Sequence, residues 1–363
     1  MDTKKESITY SNLARMMSCL GSVDLIRENT IPDTDRTNRD EGIEAHRVAL
    51  LLYNETLESA NVEQEMIDAA QIYVDDIKRI EKLTNCHAIL EGFLAAATYH
   101  PALKGVPDAW LFDKKNNTIY IWDFKYGHSF VNEYQNWQLI GAAMGALSNC
   151  NHSTNPAIVL TVVQPRCYTG KGPVRPWVTS QNELIPYFSN VVSRIKAYYE
   201  PFLIHECTVS PLCRNCPAGH VCDALLDASA YAIHQAYDNL PVELSGDTLG
   251  RELQSLEVAE LLLKARIDAL KKDAVYRLEN GERVRGYGLV TDMSPLQWSY
   301  EQDTLISMAE LLGLDVVKVG VKTPTQVKNT KGVDPALVDS LAARVPTKPQ
   351  LKQDGEKLSR IFK

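Results

Sequence analysis

Two carboxylates and an amine, in the segments Gly105-Val106-Pro107-Asp108 and Ile121-Trp122-Asp123-Phe124-Lys125, have the types and spacing to hold a divalent cation beside a cationic side chain. Hard cations such as magnesium take oxygen ligands, and an ion held by few carboxylates keeps waters and room for a phosphate. Such an ion polarises a phosphoryl oxygen and acidifies a water, while a neighbouring lysine orients that water or offsets transition-state charge. The chemistry these residues point to is metal-dependent cleavage of a phosphodiester.

The elements that must position them are short. Asp108-Ala109-Trp110-Leu111-Phe112 predicts one strand, Asp113 to Thr118 a polar turn with Asn116-Asn117, and Ile119 to Lys125 the return strand. Strand side chains alternate faces, so Ile119, Ile121, Asp123 and Lys125 share one face, and Tyr120, Trp122 and Phe124 the other. Asp123 and Lys125 therefore project together. Upstream, Asp40 is placed to cap a helix with apolar Ile43, Val48, Leu51 and Leu52, and this helix carries Gly42-Ile43-Glu44-Ala45-His46. Downstream, Asn132 to Ser148 predicts a helix with Gln138, Ala142 and Gly145 on one side, its small residues allowing a close approach to a sheet. Glu91, in the apolar run Ala88 to Leu94, is expected on a strand preceding the hairpin, where it is either an extra metal or water ligand or a solvent-facing edge residue.

In order, Gly-x-x-x-His on a helix, Gly-x-x-Asp on a strand, Asp-x-Lys on the next strand and Gln on a helix resemble the RecB-like branch of the PD-(D/E)XK nuclease superfamily. The resemblance implies an α/β fold, a restriction-endonuclease-like mixed sheet flanked by helices. It implies magnesium or manganese held by the residues matching His46, Asp108 and Asp123, with the carbonyl matching Phe124 completing the site. It further implies that Lys125 assists the attacking water and that Gln138 supports the site or the substrate. Asp123-Phe124-Lys125-Tyr126-Gly127 and Gln164-Pro165-Arg166 are more closely similar to a phage and prophage family of RecB-like proteins described only as a domain of unknown function. The resemblance covers most of the chain and weakens beyond about Leu240. One departure stands out: the branch often has a tyrosine four residues after the glutamine, where this chain has Ala142, which puts substrate-strand contacts in doubt.

The second constellation is cysteine. Of eight in the chain, Cys207, Cys213, Cys216 and Cys222 fall within one segment. The leading residues Met1 to Ser7 open into an amphipathic segment without an uninterrupted apolar core, so a reducing bacterial cytoplasm is expected, where clustered cysteines mean metal rather than disulfides. Thiolates suit both zinc and iron–sulfur clusters. Cys213, Cys216 and Cys222, with Pro217 after the second, resemble the carboxy-terminal triplet of the iron–sulfur RecB-like nucleases, whose fourth cysteine lies far upstream. That resemblance implies a 4Fe-4S cluster on Cys19, Cys213, Cys216 and Cys222. The alternative replaces Cys19 with Cys207 and makes a local zinc knuckle. Cys86, Cys150 and Cys167 have no metal spacing and read as buried apolar residues.

Length and composition fit. A chain of 363 residues with 45% hydrophobic content can bury a sizeable core and form two domains, and no apolar run approaches membrane-spanning length. The net charge of −8 argues against a non-specific coat on DNA; Asp315 to Lys363 nevertheless holds ten Lys and Arg against five Asp and Glu, an excess of +5 that leaves −13 elsewhere. The expected division is a nuclease core over 1–240, closed by the cysteine cluster, and a helical accessory region over 241–363 with a loosely structured basic end carrying Pro324, Pro335, Pro346 and Pro349. Asn61 to Leu83 predicts a helix whose Met66, Ala69, Tyr73, Ile77 and Ile80 stripe is core. Ala157 to Val163 predicts a buried central strand, Asn182 to Tyr199 a helix, and Asp223 to Leu278 a further helical stretch. There is no phosphate-cradling glycine loop or helicase motif. The expected function is a metal-dependent DNA exonuclease resecting ends in phage recombination or replication, working beside a single-strand annealing protein or a helicase. The alternatives are a non-catalytic DNA-binding recombination accessory protein on a nuclease scaffold, and a zinc-bearing adaptor, which leaves the carboxylates unexplained.

Overall fold

The computed structural model describes residues 7–29, 37–58, 62–167, 171–200, 204–237, 246–290, 296–318, 320–321, 323–328, 333–343 and 350–353. It divides into two compact units, Met1–Ala269 and Leu270–Lys363. The sequence-based boundary near residue 240 lies outside the described residues.

The first unit is α/β, with helices on both faces of a mixed five-stranded sheet. Its helices before the sheet are α1 (Leu13–Ser18), α2 (Ser22–Asn29), α3 (Thr37–Tyr53) and α4 (Gln64–Thr84). The strands follow as β1 (Ile89–Leu90), β2 (Leu94–Ala95), β3 (Lys104–Gly105), β4 (Ala109–Asp113) and β5 (Thr118–Phe124). Then come α5 (Trp137–Asn149), β6 (Ala157–Val163), β7 (Val174–Ser180), α6 (Gln181–Tyr199) and α7 (Asp223–Tyr237), and α8 (Gly246–Glu279) runs from this unit past its boundary at Ala269. The sheet order is β1-β4-β5-β6-β7, antiparallel except for the β5–β6 pair, which is parallel. A parallel pair needs a crossover, and α5 supplies it.

Strand alternation distributes the core as the pattern predicts. Ile119, Ile121, Ile158, Leu160 and Val162 join one cluster with Leu139, Ile140 and Met144 of α5 and Leu184, Phe188 and Val191 of α6. Trp122 and Phe124 point the other way, into a cluster with Val48 of α3 and Met66, Tyr73 and Ile77 of α4. The β4–β5 turn is held by Asp113, whose carboxylate accepts from the backbone N–H groups of Lys115 and Asn116.

Several expectations need correction. α3 starts at Thr37, so Asp40 lies inside its first turn instead of capping it, and Ile43 is exposed rather than part of the apolar face. α5 starts at Trp137, not Asn132, because the Asn136 side chain caps it by accepting from the N–H groups of Gln138 and Leu139. The small residues of α5 do allow the close approach, and Tyr10 and Leu13 share it: a Cβ on Gly145 would strike the Tyr10 hydroxyl and lie 3.0 Å from Leu94 Cβ of β2, and one on Gly141 would sit 2.4 Å from Leu13 Cδ1. The second unit is no loose appendage. Leu305, Ala309, Leu314, Val316, Val327, Val338 and Leu341 form a small core of its own, although Pro346 and Pro349 lie outside the described residues. Among the described residues no helix is long and apolar enough to cross a membrane.

Candidate metal centre

The stretch from Ile89 to Ala95 runs antiparallel to Lys104 to Trp110 in one continuous register: Leu90 opposes Ala109, and Leu94 opposes Gly105. Between the two paired stretches the ladder is interrupted. Pro107 has no N–H to give, and Glu91 adopts a left-handed φ of 52°. At this break Glu91 and Asp108 face each other, and the Glu91 N–H donates to the Asp108 carbonyl at 3.1 Å. The same register carried on sets exposed Phe93 across from exposed Val106.

α3 brings His46 to this point. Its Nδ1 lies 3.6 Å from Asp108 Oδ1 and 4.0 Å from Glu91 Oε1. One potential ligand atom from each of His46, Glu91 and Asp108 falls within 4.8 Å of the others. Glu91 thus belongs to the tight group, a placement that a strand assignment could not give because it depends on the positive φ. Phe124 contributes backbone: its N–H donates to Asp108 Oδ2 at 2.6 Å, and its ring packs edge-on to His46 at 5.4 Å.

Asp123 stands beside this triad on β5. It is only 2% exposed, and among the described residues no neutral hydrogen-bond donor meets its carboxylate. Its compensating charge is Lys125, with Nζ 2.8 Å from Oδ1. Lys125 Nζ also donates to Gln138 Oε1 at 3.2 Å, so Gln138 fixes the lysine from the first turn of α5. The expected ordering of Asp123, Lys125 and Gln138 therefore appears as one connected chain of contacts.

The electrostatics are those of a site built for added positive charge. Burial, then the neighbouring Asp123, pushes the Asp108 carboxyl well above the ordinary aspartate range. Burial, then Lys125, holds His46 below the usual histidine value, which keeps an imidazole lone pair free at neutral pH. Burial pulls the Lys125 ammonium down, but Asp123 and Asp108 outweigh it and hold its pKa above normal. Three clustered carboxylates next to an imidazole, with a single lysine among them, fit a divalent cation with oxygen and nitrogen ligands.

The motif Gln164-Pro165-Arg166 acts as the frame. Gln164 is fully buried; its amide donates to the carbonyls of Gly127 and Ser129, and its oxygen accepts from the Val131 N–H. It thereby shapes the loop joining Lys125 to α5. Arg166 pairs with Glu41 of α3 and Glu65 of α4 and lies over the Tyr126 ring.

Ala142 does not face the site. It is buried in the core between α5 and the sheet, so the doubt about a missing tyrosine concerns packing, not a strand-facing position. Sequence reasoning also passed over Tyr73 by assigning it to a core stripe; its ring does stack on Phe124, at 5.0 Å.

The clustered cysteines form a second candidate site. Cys19, Cys207, Cys213, Cys216 and Cys222 line one cavity, together with Leu25 and Leu225. The structure brings both rival ligands, Cys19 and Cys207, to the same place. Cys207 lies within hydrogen-bonding reach of Cys19 and Cys222, and burial followed by these two thiols pushes its pKa up to about 12. Backbone N–H groups of Thr208 and Ser210 donate to Cys19 Sγ at 3.2 Å and Cys213 Sγ at 3.3 Å. The donor set fits a thiophilic group. Gly21 permits the closure, since a Cβ there would meet the His205 carbonyl at 2.4 Å. Cys150 and Cys86 pack as half-buried apolar residues against the two sheet-face cores.

Residues 7–357 match the model of the family described as Protein of unknown function (DUF2800), and the chain belongs to that family. No curated protein matches it.

Proposed function

We propose that this protein is a divalent-metal-dependent deoxyribonuclease of the RecB-like PD-(D/E)XK type, an exonuclease that trims DNA ends in phage recombination or replication within the bacterial cytoplasm. The observation that carries the reading is the triad His46, Glu91 and Asp108, gathered within 4.8 Å, beside the buried Asp123–Lys125 pair. His46, Asp108, Asp123 and the Phe124 carbonyl hold magnesium or manganese, with Glu91 as a further oxygen donor. Such an ion supplies an acidified water and neutralises charge on the phosphate. Lys125, fixed by Gln138, orients the attacking water and offsets charge developing on the phosphoryl oxygens. Asp108 must give up its proton for the site to load, and neutral His46 need not.

The exposed pair Phe93 and Val106 lies on the ribbon that carries Glu91 and Asp108, where an unstacked base next to the scissile phosphate can rest; base–aromatic stacking contributes about 1–3 kcal/mol. This suits single strands and frayed ends, as does a chain without an ATP-driven motor, and a phage annealing protein or helicase is the companion that would supply such ends. The five-thiol cavity holds a 4Fe-4S cluster on Cys19, Cys213, Cys216 and Cys222, zinc being the alternative, and staples the chain before the sheet to the segment after it. Incubation with end-labelled single- and double-stranded DNA, with manganese or with chelator, tests the proposal: metal-dependent shortening of the labelled strand supports it, and intact DNA under all conditions refutes it.

A further inference from the structure

Tyr73, on α4, is 2% exposed, and among the described residues its hydroxyl has no hydrogen-bond partner. Buried tyrosine hydroxyls are ordinarily paired, and leaving one unpaired costs about 1–3 kcal/mol. The ring stacks on Phe124, with the planes 19° apart, and this orients it from the face of β5 opposite the Asp123 side chain. Burial, followed in order by the charges of Asp108, Glu91 and Asp123, raises the Tyr73 pKa well above its usual value. The Phe124 on which Tyr73 stacks itself touches the candidate centre, its N–H donating to Asp108 Oδ2 at 2.6 Å and its ring meeting His46 at 5.4 Å. Asp123 lies on the other side, its buried carboxylate met by Lys125 Nζ at 2.8 Å. An apolar core has no use for a hydroxyl at Tyr73. The neighbouring core positions of α4, Met66, Ala70 and Ile77, are filled by residues without one.

We infer that Tyr73 is a positioning residue of the metal centre: its hydroxyl is the buried donor that completes the outer shell of carboxylates and water around a divalent cation held by His46, Glu91 and Asp108. This rests on the metal-centre reading and adds to it a residue outside the His, Asp, Asp-x-Lys and Gln set. In the loaded centre its O–H would donate to that outer shell. Tyr73 acts as a phenol, the ordinary form of a tyrosine side chain at neutral pH.

The test is manganese binding by the full chain without DNA, followed by calorimetry and by the manganese-induced rise in melting temperature. Tyr73→Phe keeps the ring and its stack on Phe124. In chelator it should melt at or above the parent's temperature, since an unpaired hydroxyl has been removed. In manganese it should bind about 10- to 100-fold more weakly, the usual cost of losing an outer-shell partner, and show a correspondingly smaller rise. A purely structural tyrosine would leave manganese affinity within two-fold of the parent, and that result overturns the inference. Asp108→Asn separates the two layers of the argument. If the parent binds manganese, Asp108→Asn loses it and Tyr73→Phe retains it, the inference alone fails. If the parent binds none, or Asp108→Asn binds as the parent does, the metal centre and the inference fail together.

Discussion

Replacing Asp108 with asparagine should make the metal-free protein more stable, the reverse of what a buried, hydrogen-bonded aspartate normally shows. The carboxylate oxygens of Asp108 and Glu91 approach within 4.8 Å. The comparison is made at a pH above the raised Asp108 value, where both groups are charged. At an effective dielectric near 20, two unit charges at that separation repel by about 3.5 kcal/mol. Glu91 is 46% exposed, so solvent screening reduces the figure to roughly 1–2 kcal/mol. The asparagine side chain keeps an oxygen that accepts from the Phe124 N–H and removes only the charge. The expected gain of about 1–2 kcal/mol corresponds to about 2–4 °C in melting temperature per kcal/mol for a unit of this size. The assay is a pair of thermal melts, in chelator and in manganese, for the parent and the variant. The parent should rise in manganese, whereas Asp108→Asn should melt higher than the parent in chelator and be indifferent to manganese. A variant that is less stable in chelator and still responds to manganese refutes the claim that the Asp108 carboxylate serves a cation.

The same electrostatics set a pH dependence. Because the folded Asp108 pKa is raised, its contribution to stability is full at acid pH and is lost as pH rises through the raised value, so metal-free melting temperature should fall from weakly acidic toward neutral pH, with a flatter profile in manganese. Ala142→Tyr should destabilise the first unit by about 1–3 kcal/mol, seen in denaturant titration, because it adds a ring where Ala142 is buried against the sheet; unchanged stability would show that the position is open. Protein purified without oxygen should be brown with about four irons per chain, and Cys19→Ser should lose colour and stability together while Cys207→Ser keeps both. A colourless protein with one zinc that survives Cys19→Ser but not Cys207→Ser would establish the local knuckle instead.

What was legible in the sequence follows from periodicity. The two-residue repeat of Ile119 to Lys125 was enough to put Asp123 and Lys125 on one face, and the burial of Ala157 to Val163 followed from its continuous apolar run. Glu91 was harder, because its place in the triad depends on a left-handed backbone at a break in the ladder, which no side-chain pattern announces. Tyr73 was hidden for the opposite reason: it fits the helical apolar stripe by its ring and violates it only by its hydroxyl. The start of α5 was misread because Asn132 and Asn136 are both competent caps, and the Asn136 hydrogen bonds decide between them. Cys19 and Cys207 could not be told apart as ligands from spacing, since both are brought to one cavity by tertiary closure. The core of the second unit was obscured by short elements between prolines, whose burial arises from contacts distant in sequence.

The most direct measurement is the fate of end-labelled single-stranded DNA incubated with the parent and with Asp123→Ala in manganese, both proteins first shown to be folded by circular dichroism. The account predicts progressive shortening by the parent, abolished by chelator and by Asp123→Ala. Chelator-resistant cleavage that persists undiminished in Asp123→Ala would contradict it.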